Sequence, residues 1–133
     1  MISIDYTIMF YDADPAGILF FGNFFRIMHF AFEKYLGTVN LFKDFFENPE
    51  YIFPVKTSTA DFKIPVKHGN KVKIEIEIAG IRKSSFEVYF KMVNPEGKLC
   101  AEGKTVHVCV DKKTGQKATL PESILSVFGK NLS

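Results

Sequence analysis

A chain of 133 residues has the length of one ordinary domain, enough to bury a single core without metals or disulfides, and residues 1–133 are read as one unit. Hydrophobic residues make up 47% of it, with fifteen Phe and no Trp, so Phe must supply the bulky packing and any aromatic pocket wall. A formal charge of +2 argues against a nucleic-acid binder, which would carry a strong basic excess, and no run approaches the roughly 20 apolar residues of a membrane span.

The opening Met1-Ile2-Ser3-Ile4-Asp5 has no basic stretch before an apolar run, so no secretory signal is expected. Residues 3–10 alternate loosely and predict a first strand, which Asp12-Ala13-Asp14-Pro15-Ala16-Gly17 breaks with turn-forming residues. From Gly22-Asn23 to about Leu36 the pattern predicts a helix, with Asn23 as its cap and Gly37 as its stop. That helix is apolar on nearly every side, and Arg26, His29 and Glu33 share its one polar stripe by i, i+3, i+4 spacing. So greasy a helix has to be wrapped by other structure.

A short helix is expected over 41–47 and extended chain over 53–62. Residues 71–78 alternate without interruption and put Val72, Ile74, Ile76 and Ile78 on one face; residues 84–93 repeat the pattern with Phe86, Val88, Phe90 and Met92. Asn94-Pro95-Glu96-Gly97 reads as a turn. The next strand runs from Lys98 to Asp111, with a parity shift near Gly103 that suggests a bulge. Pro121 to Phe128 predicts a short last helix. One early helix followed by a meander of long strands is an α+β layout with an antiparallel sheet. Cys100 and Cys109 lie nine residues apart on one extended segment, about 30 Å at strand rise, too far for a disulfide. Two unpaired thiols fit a reducing compartment, and the cytoplasm is the expected location.

Three features could carry chemistry. Asp14 alone reads as a turn residue, but a carboxylate just before a buried helix lies near free N–H groups and the positive end of the helix dipole. A base or nucleophile beside an oxyanion site is what acyl transfer requires. Arg82-Lys83, between two strong strands, reads as a solvated hairpin tip or as a phosphate clamp, and spacing favours the tip. His29, His68 and His107 have no paired ligand spacing and no Cys-x-x-Cys accompanies them, so no metal site is expected. The chain has no Gly-x-Gly-x-x-Gly, Walker sequence or Gly-x-Ser-x-Gly elbow, which leaves a carboxylate as the working group of any hydrolase.

The run Phe10-Tyr11-Asp12-Ala13-Asp14-Pro15-Ala16-Gly17, continuing through Phe21-Gly22-Asn23-Phe24-Phe25-Arg26, resembles the signature of 4-hydroxybenzoyl-CoA thioesterases and their Tol-Pal-associated relatives. A second stretch, Ala60 to Asn70 and then Arg82-Lys83-Ser84-Ser85-Phe86, follows in consistent order, and the resemblance spans roughly residues 4–111. It implies a hotdog fold, in which an antiparallel sheet wraps a long helix, and a homodimer or homotetramer with active sites between subunits. It further implies hydrolysis of a CoA thioester without a metal or redox cofactor. Asp14 falls at the catalytic carboxylate, the Phe21 N–H at the oxyanion site beside Gly22, and Arg82, Lys83 and Ser84 at the residues that meet the CoA phosphates. Asn23 and His29 fall on the substrate side of the helix. Phe21 and Gly22 depart from the Tyr followed by Pro or His of many relatives, Ser84 replaces a basic residue, and His29 stands where relatives are often acidic. An aromatic acyl group is expected from the Phe-rich helix start. The alternatives are a short-chain or acyl-carrier-protein thioesterase, a non-catalytic acyl-CoA-binding module and a hotdog dehydratase.

Overall fold

The computed structural model describes residues 1–132. Seven strands and three helices follow the chain: β1 (Ile2–Thr7), α1 (Phe21–Thr38), α2 (Phe42–Phe46), β2 (Tyr51–Ile52), β3 (Val55–Phe62), β4 (Lys71–Ile81), β5 (Ser85–Val93), β6 (Leu99–Val108), β7 (Val110–Asp111) and α3 (Glu122–Lys130). Five of the strands form one antiparallel sheet in the order β1-β4-β5-β6-β3, and β2 pairs with β7. The period-two alternation works as expected: Val72, Ile74, Ile76 and Ile78 of β4 and Phe86, Val88, Phe90 and Met92 of β5 are all buried, because successive side chains leave opposite faces of a strand. Opposite them lie Phe24, Ile27, Met28, Ala31, Phe32, Tyr35 and Leu36 of α1, also buried. The core is the layer between that helical stripe and the sheet. A long helix against a curved antiparallel sheet is the hotdog arrangement.

Four local expectations are corrected. The first strand ends at Thr7, and residues Phe10–Asp12 form a 3-10 turn instead. The helix begins at Phe21 with Phe20 in the extended capping position, so Asn23 sits inside the first turn and caps nothing. At the other end α1 runs through Gly37 to Thr38, and the left-handed residue that follows is Asn40 (φ 61°); Asn tolerates that conformation almost as glycine does. The bulge in β6 falls at Cys100, where the pairing with β5 shifts between Met92 and Val93, while Gly103 stays in regular register opposite Phe90. Gly103 has a different reason to be glycine. A Cβ there would come 2.6 Å from Met28 Sδ and 2.7 Å from the Thr59 carbonyl, so the missing side chain lets α1 touch the sheet.

The wrapping of α1 is incomplete within this chain. Only one stripe is buried; Phe21 is 62% exposed, and Arg26, His29 and Glu33 lie on the open side. Beside that open side runs β3, a sheet edge whose residues are almost all exposed, Val55 and Phe62 included. No helix among the described residues is long and apolar enough to cross a membrane. Cys100 and Cys109 are both buried free thiols.

Candidate active site

Residues 12–20 double back on themselves. The Asp14 N–H donates to the Ile18 carbonyl at 2.8 Å, the Gly17 N–H to the Asp14 carbonyl at 2.9 Å, and the Phe20 N–H to the Asp12 carbonyl at 2.9 Å. Gly17 supplies the positive φ (82°) that closes the tip, a conformation glycine adopts without steric cost. Asp14 fastens its own turn: Oδ1 accepts the N–H of Ala16 at 2.8 Å and of Ile18 at 3.4 Å. Both of these bonds use Oδ1 and neither uses Oδ2. The return limb of the hairpin runs straight into α1 without a linker, so the Asp14 carboxylate and the helix start belong to one rigid piece.

The first N–H groups of a helix have no intrahelical acceptor. Asn23 N–H turns back to the Phe20 carbonyl at 2.9 Å, whereas Phe21 and Gly22 donate to no backbone acceptor among the described residues. Gly22 carries no side chain where the Phe20 ring folds over the helix start; a Cβ would lie 3.0 Å from Phe20 Cε2. Asp14, Phe20 and Phe21 open together on a cavity of about 410 Å³ whose far wall is Phe62, Ile64 and Met92. Asp14 and the start of α1, where two N–H donors lack a backbone acceptor, therefore border one largely apolar cavity. Free donors aimed at a developing negative oxygen are worth most where water is excluded.

What holds the hairpin to the fold was not assigned from the sequence. Asp12 is fully buried, and its Oδ2 accepts the Tyr6 hydroxyl at 2.6 Å and the Met9 N–H at 2.9 Å. Its Oδ1 is paired with the Arg26 guanidinium, which also donates to the Tyr6 hydroxyl at 3.0 Å. Burial, and then the bond to Asp12, push the Tyr6 phenol above its ordinary pKa. The Asn23 side chain, expected at the substrate, donates to the Asp12 carbonyl at 2.9 Å and so ties the helix to the hairpin. Arg26 was the available signal: a charge breaking an apolar helix asks for a buried partner.

The remaining predicted residues lie apart from Asp14 within this chain. His29 is half exposed on α1 and faces Glu33, with Nε2 3.6 Å from Oε1. Arg82 and Lys83 are exposed at the β4–β5 hairpin, closed by the Arg82 N–H to the Ser85 carbonyl at 2.8 Å. The Ser84 carbonyl accepts the Cys109 N–H at 2.7 Å. From Ser84 to Met92, in the Asp14 cavity wall, β5 runs eight residues, about 26 Å at strand rise. The basic pair and the carboxylate are thus at opposite ends of the sheet. Among the described residues no three His, Cys, Asp or Glu side chains are grouped as metal ligands would be.

With this geometry in place the comparison with known proteins is direct. The chain belongs to the thioesterase-like superfamily, which matches residues 8–128, and its class is therefore that of the hotdog thioester hydrolases. It is 36% identical over 127 residues to the 1,4-dihydroxy-2-naphthoyl-CoA hydrolase of Nostoc punctiforme, covering 94% of this chain and 84% of the relative. The protein of the same name from Rippkaea orientalis is 31% identical over 122 residues, covering 90% and 88%. Among solved structures, the 1,4-dihydroxy-2-naphthoyl-CoA thioesterase from Synechocystis superposes with a TM-score of 0.88 at 22% identity, over 96% of this chain and 94% of that one, a likeness of fold. These relatives bear the name of a naphthoyl thioester, where the sequence resemblance had suggested 4-hydroxybenzoyl.

Proposed function

We propose that the protein hydrolyses an aromatic acyl-CoA thioester, with Asp14 as the working carboxylate. The observation that carries this reading is the cavity that Asp14 and Phe21 line together, at a helix start where the N–H groups of Phe21 and Gly22 have no backbone acceptor. The thioester carbonyl oxygen takes those N–H donors, and Asp14 Oδ2 either removes a proton from the attacking water or itself attacks the carbonyl carbon. In the first route the tetrahedral oxyanion collapses, the C–S bond breaks, and the departing thiolate takes the proton held by Asp14. In the second, an acyl anhydride with Asp14 forms as the thiolate leaves, and water then cleaves it. The names of the Nostoc and Rippkaea relatives support an aromatic acyl group, and the Phe-lined helix start suits a flat ring.

Arg82 and Lys83 bind the phosphates of CoA, with Ser84 beside them and with Asn23 and His29 on the acyl side. Because the basic pair stands at the far end of its own sheet, a second copy of the chain supplies it. The open edge of β3 and the uncovered face of α1 are where that copy joins, giving a homodimer or a homotetramer of two such pairs; an unprotected edge strand is a template for another strand. The two free thiols suit the cytoplasm.

The test is thiol release from a panel of aromatic, short-chain and long-chain CoA thioesters, with Asp14→Asn alongside. Turnover of aromatic thioesters that falls by about 10²-fold or more in the Asn variant is expected. Equal turnover by the two proteins removes Asp14 from the chemistry, and no release from any thioester favours a binding module instead.

A further inference from the structure

The seam between α1 and the β3–β6 side of the sheet contains a second cavity. It has a volume of about 270 Å³ and lies between Phe25, His29 and Phe32 of the helix and Phe90, Thr105 and His107 of the sheet. It follows the Asp14 cavity along the same strand faces: Phe90 precedes Met92 by two residues in β5, and Ala101, Gly103 and Thr105 share one face of β6.

The sheet side of this cavity carries polar atoms with hydrogen-bonding capacity to spare. Thr105 is only 9% exposed, and its Oγ1 has no hydrogen-bond partner. His107 is 3% exposed, stacked on Phe86 with ring centroids 5.0 Å apart. Its Nδ1 lies 3.0 Å from the Phe53 carbonyl. A carbonyl only accepts, so the ring proton sits on Nδ1 and Nε2 remains an acceptor. Burial holds this imidazole below its ordinary pKa, which keeps it neutral at pH 7. A buried hydroxyl without a partner is destabilising, and native structures keep such groups where something else satisfies them.

We propose that this cavity receives the hydroxylated edge of the aromatic acyl group, with Thr105 and His107 as the residues that select it. The inference rests on the reading of Asp14 and the helix start as the thioester site, and it names the substituent that site prefers. Phe25, at the mouth, is one helical turn beyond Phe21, about 6 Å along the axis, so a ring attached to a carbonyl held at Phe21 enters between Phe25 and Phe90. The phenolic O–H donates to His107 Nε2, and the Thr105 hydroxyl donates to the phenolic oxygen. Both groups then bond the phenol, whereas an unsubstituted ring leaves the Thr105 hydroxyl unpaired and offers His107 Nε2 no donor.

The experiment measures equilibrium binding of two CoA thioethers that cannot be hydrolysed, 4-hydroxyphenacyl-CoA and phenacyl-CoA. The unaltered protein, Thr105→Val and His107→Phe are compared by calorimetry. The unaltered protein should favour the hydroxylated analogue by about tenfold, and each variant should bring that ratio close to one. Thr105→Val should melt no lower than the parent, since it removes an unpaired hydroxyl at constant shape, so its binding is read on folded protein. A preference that survives in both variants, or no preference in the parent, overturns the assignment. The thioester reading is judged separately by Asp14→Asn turnover, so a failure of one is not mistaken for a failure of the other.

Discussion

Asp12→Asn tests how firmly the hairpin is anchored, and its cost can be worked out from the partners. Oδ2 accepts from Tyr6 and Met9, and Oδ1 is paired with Arg26. An amide at position 12 has one acceptor and one donor, so either Arg26 or the Tyr6–Met9 pair must face an NH₂ group, whichever way the amide is turned. Breaking a fully buried ion pair costs about 3–5 kcal/mol, but Arg26 is 48% exposed and water recovers part of that, leaving about 2–3 kcal/mol. An unfolding entropy near 2.1 cal/mol/K per residue makes this a fall in Tm of about 7–11 °C for a chain of this length. Thermal unfolding by circular dichroism at one fixed protein concentration measures it, because Tm depends on concentration for any protein that assembles. Thiol release should fall too, because the anchored hairpin carries Asp14. A Tm within about 3 °C of the parent would refute the view that Asp12 anchors the hairpin.

Gly103→Ala should destabilise by about 1–3 kcal/mol in chemical denaturation, because the added methyl meets the Thr59 carbonyl, which cannot swing aside as a side chain can. His107 gives a pH dependence with a definite sign. Its folded pKa is lowered by burial from an ordinary value of 6.5, so below that value the unfolded chain binds a proton the folded chain does not. Stability is full above pH 6.5 and declines as the pH falls through the window beneath it; His107→Phe should flatten that part of the difference between stability curves measured at pH 5 and pH 7. If Arg82 comes from a second copy, mixing Asp14→Asn with Arg82→Ala under conditions that exchange subunits should restore low-KM turnover in hybrids. Additive residual activity without restoration would place both residues in one subunit's site.

The sheet was legible in the sequence because its signal is local. Alternation at 71–78 and 86–92 reports directly which side chains face the core. The helix centre was legible for the same reason, but its ends were not: Phe20 caps by backbone conformation alone, and Asn40 rather than Gly37 takes the left-handed position. Asp14 was singled out through its neighbours in a motif, since an aspartate before a proline says only that the chain turns. Asp12 was passed over because its partners, Tyr6 and Arg26, become neighbours only after the hairpin has formed. Gly103 looked like a bulge because a glycine in a strand gives the same sequence signal for a bulge and for a close contact. The cavity beside Thr105 had no sequence signal, since it depends on where α1 first touches the sheet.

The anchoring bonds of the hairpin have a further consequence through their short span along the chain. The side-chain bonds that anchor the Asp14 hairpin are drawn from residues 6–26, from the Tyr6 hydroxyl to the Arg26 guanidinium, with the Val66 carbonyl accepting the Leu19 N–H as a backbone tie from further along. The walls of the second cavity include residues 90, 105 and 107, contributed by a stretch of chain far downstream. On the proposed reading, the reactive carboxylate is held mainly by an early segment, while the sheet wall of the acyl pocket comes from later strands. On that reading, substitutions in β5 and β6 would retune what is accepted while the hairpin before α1 keeps its chemistry.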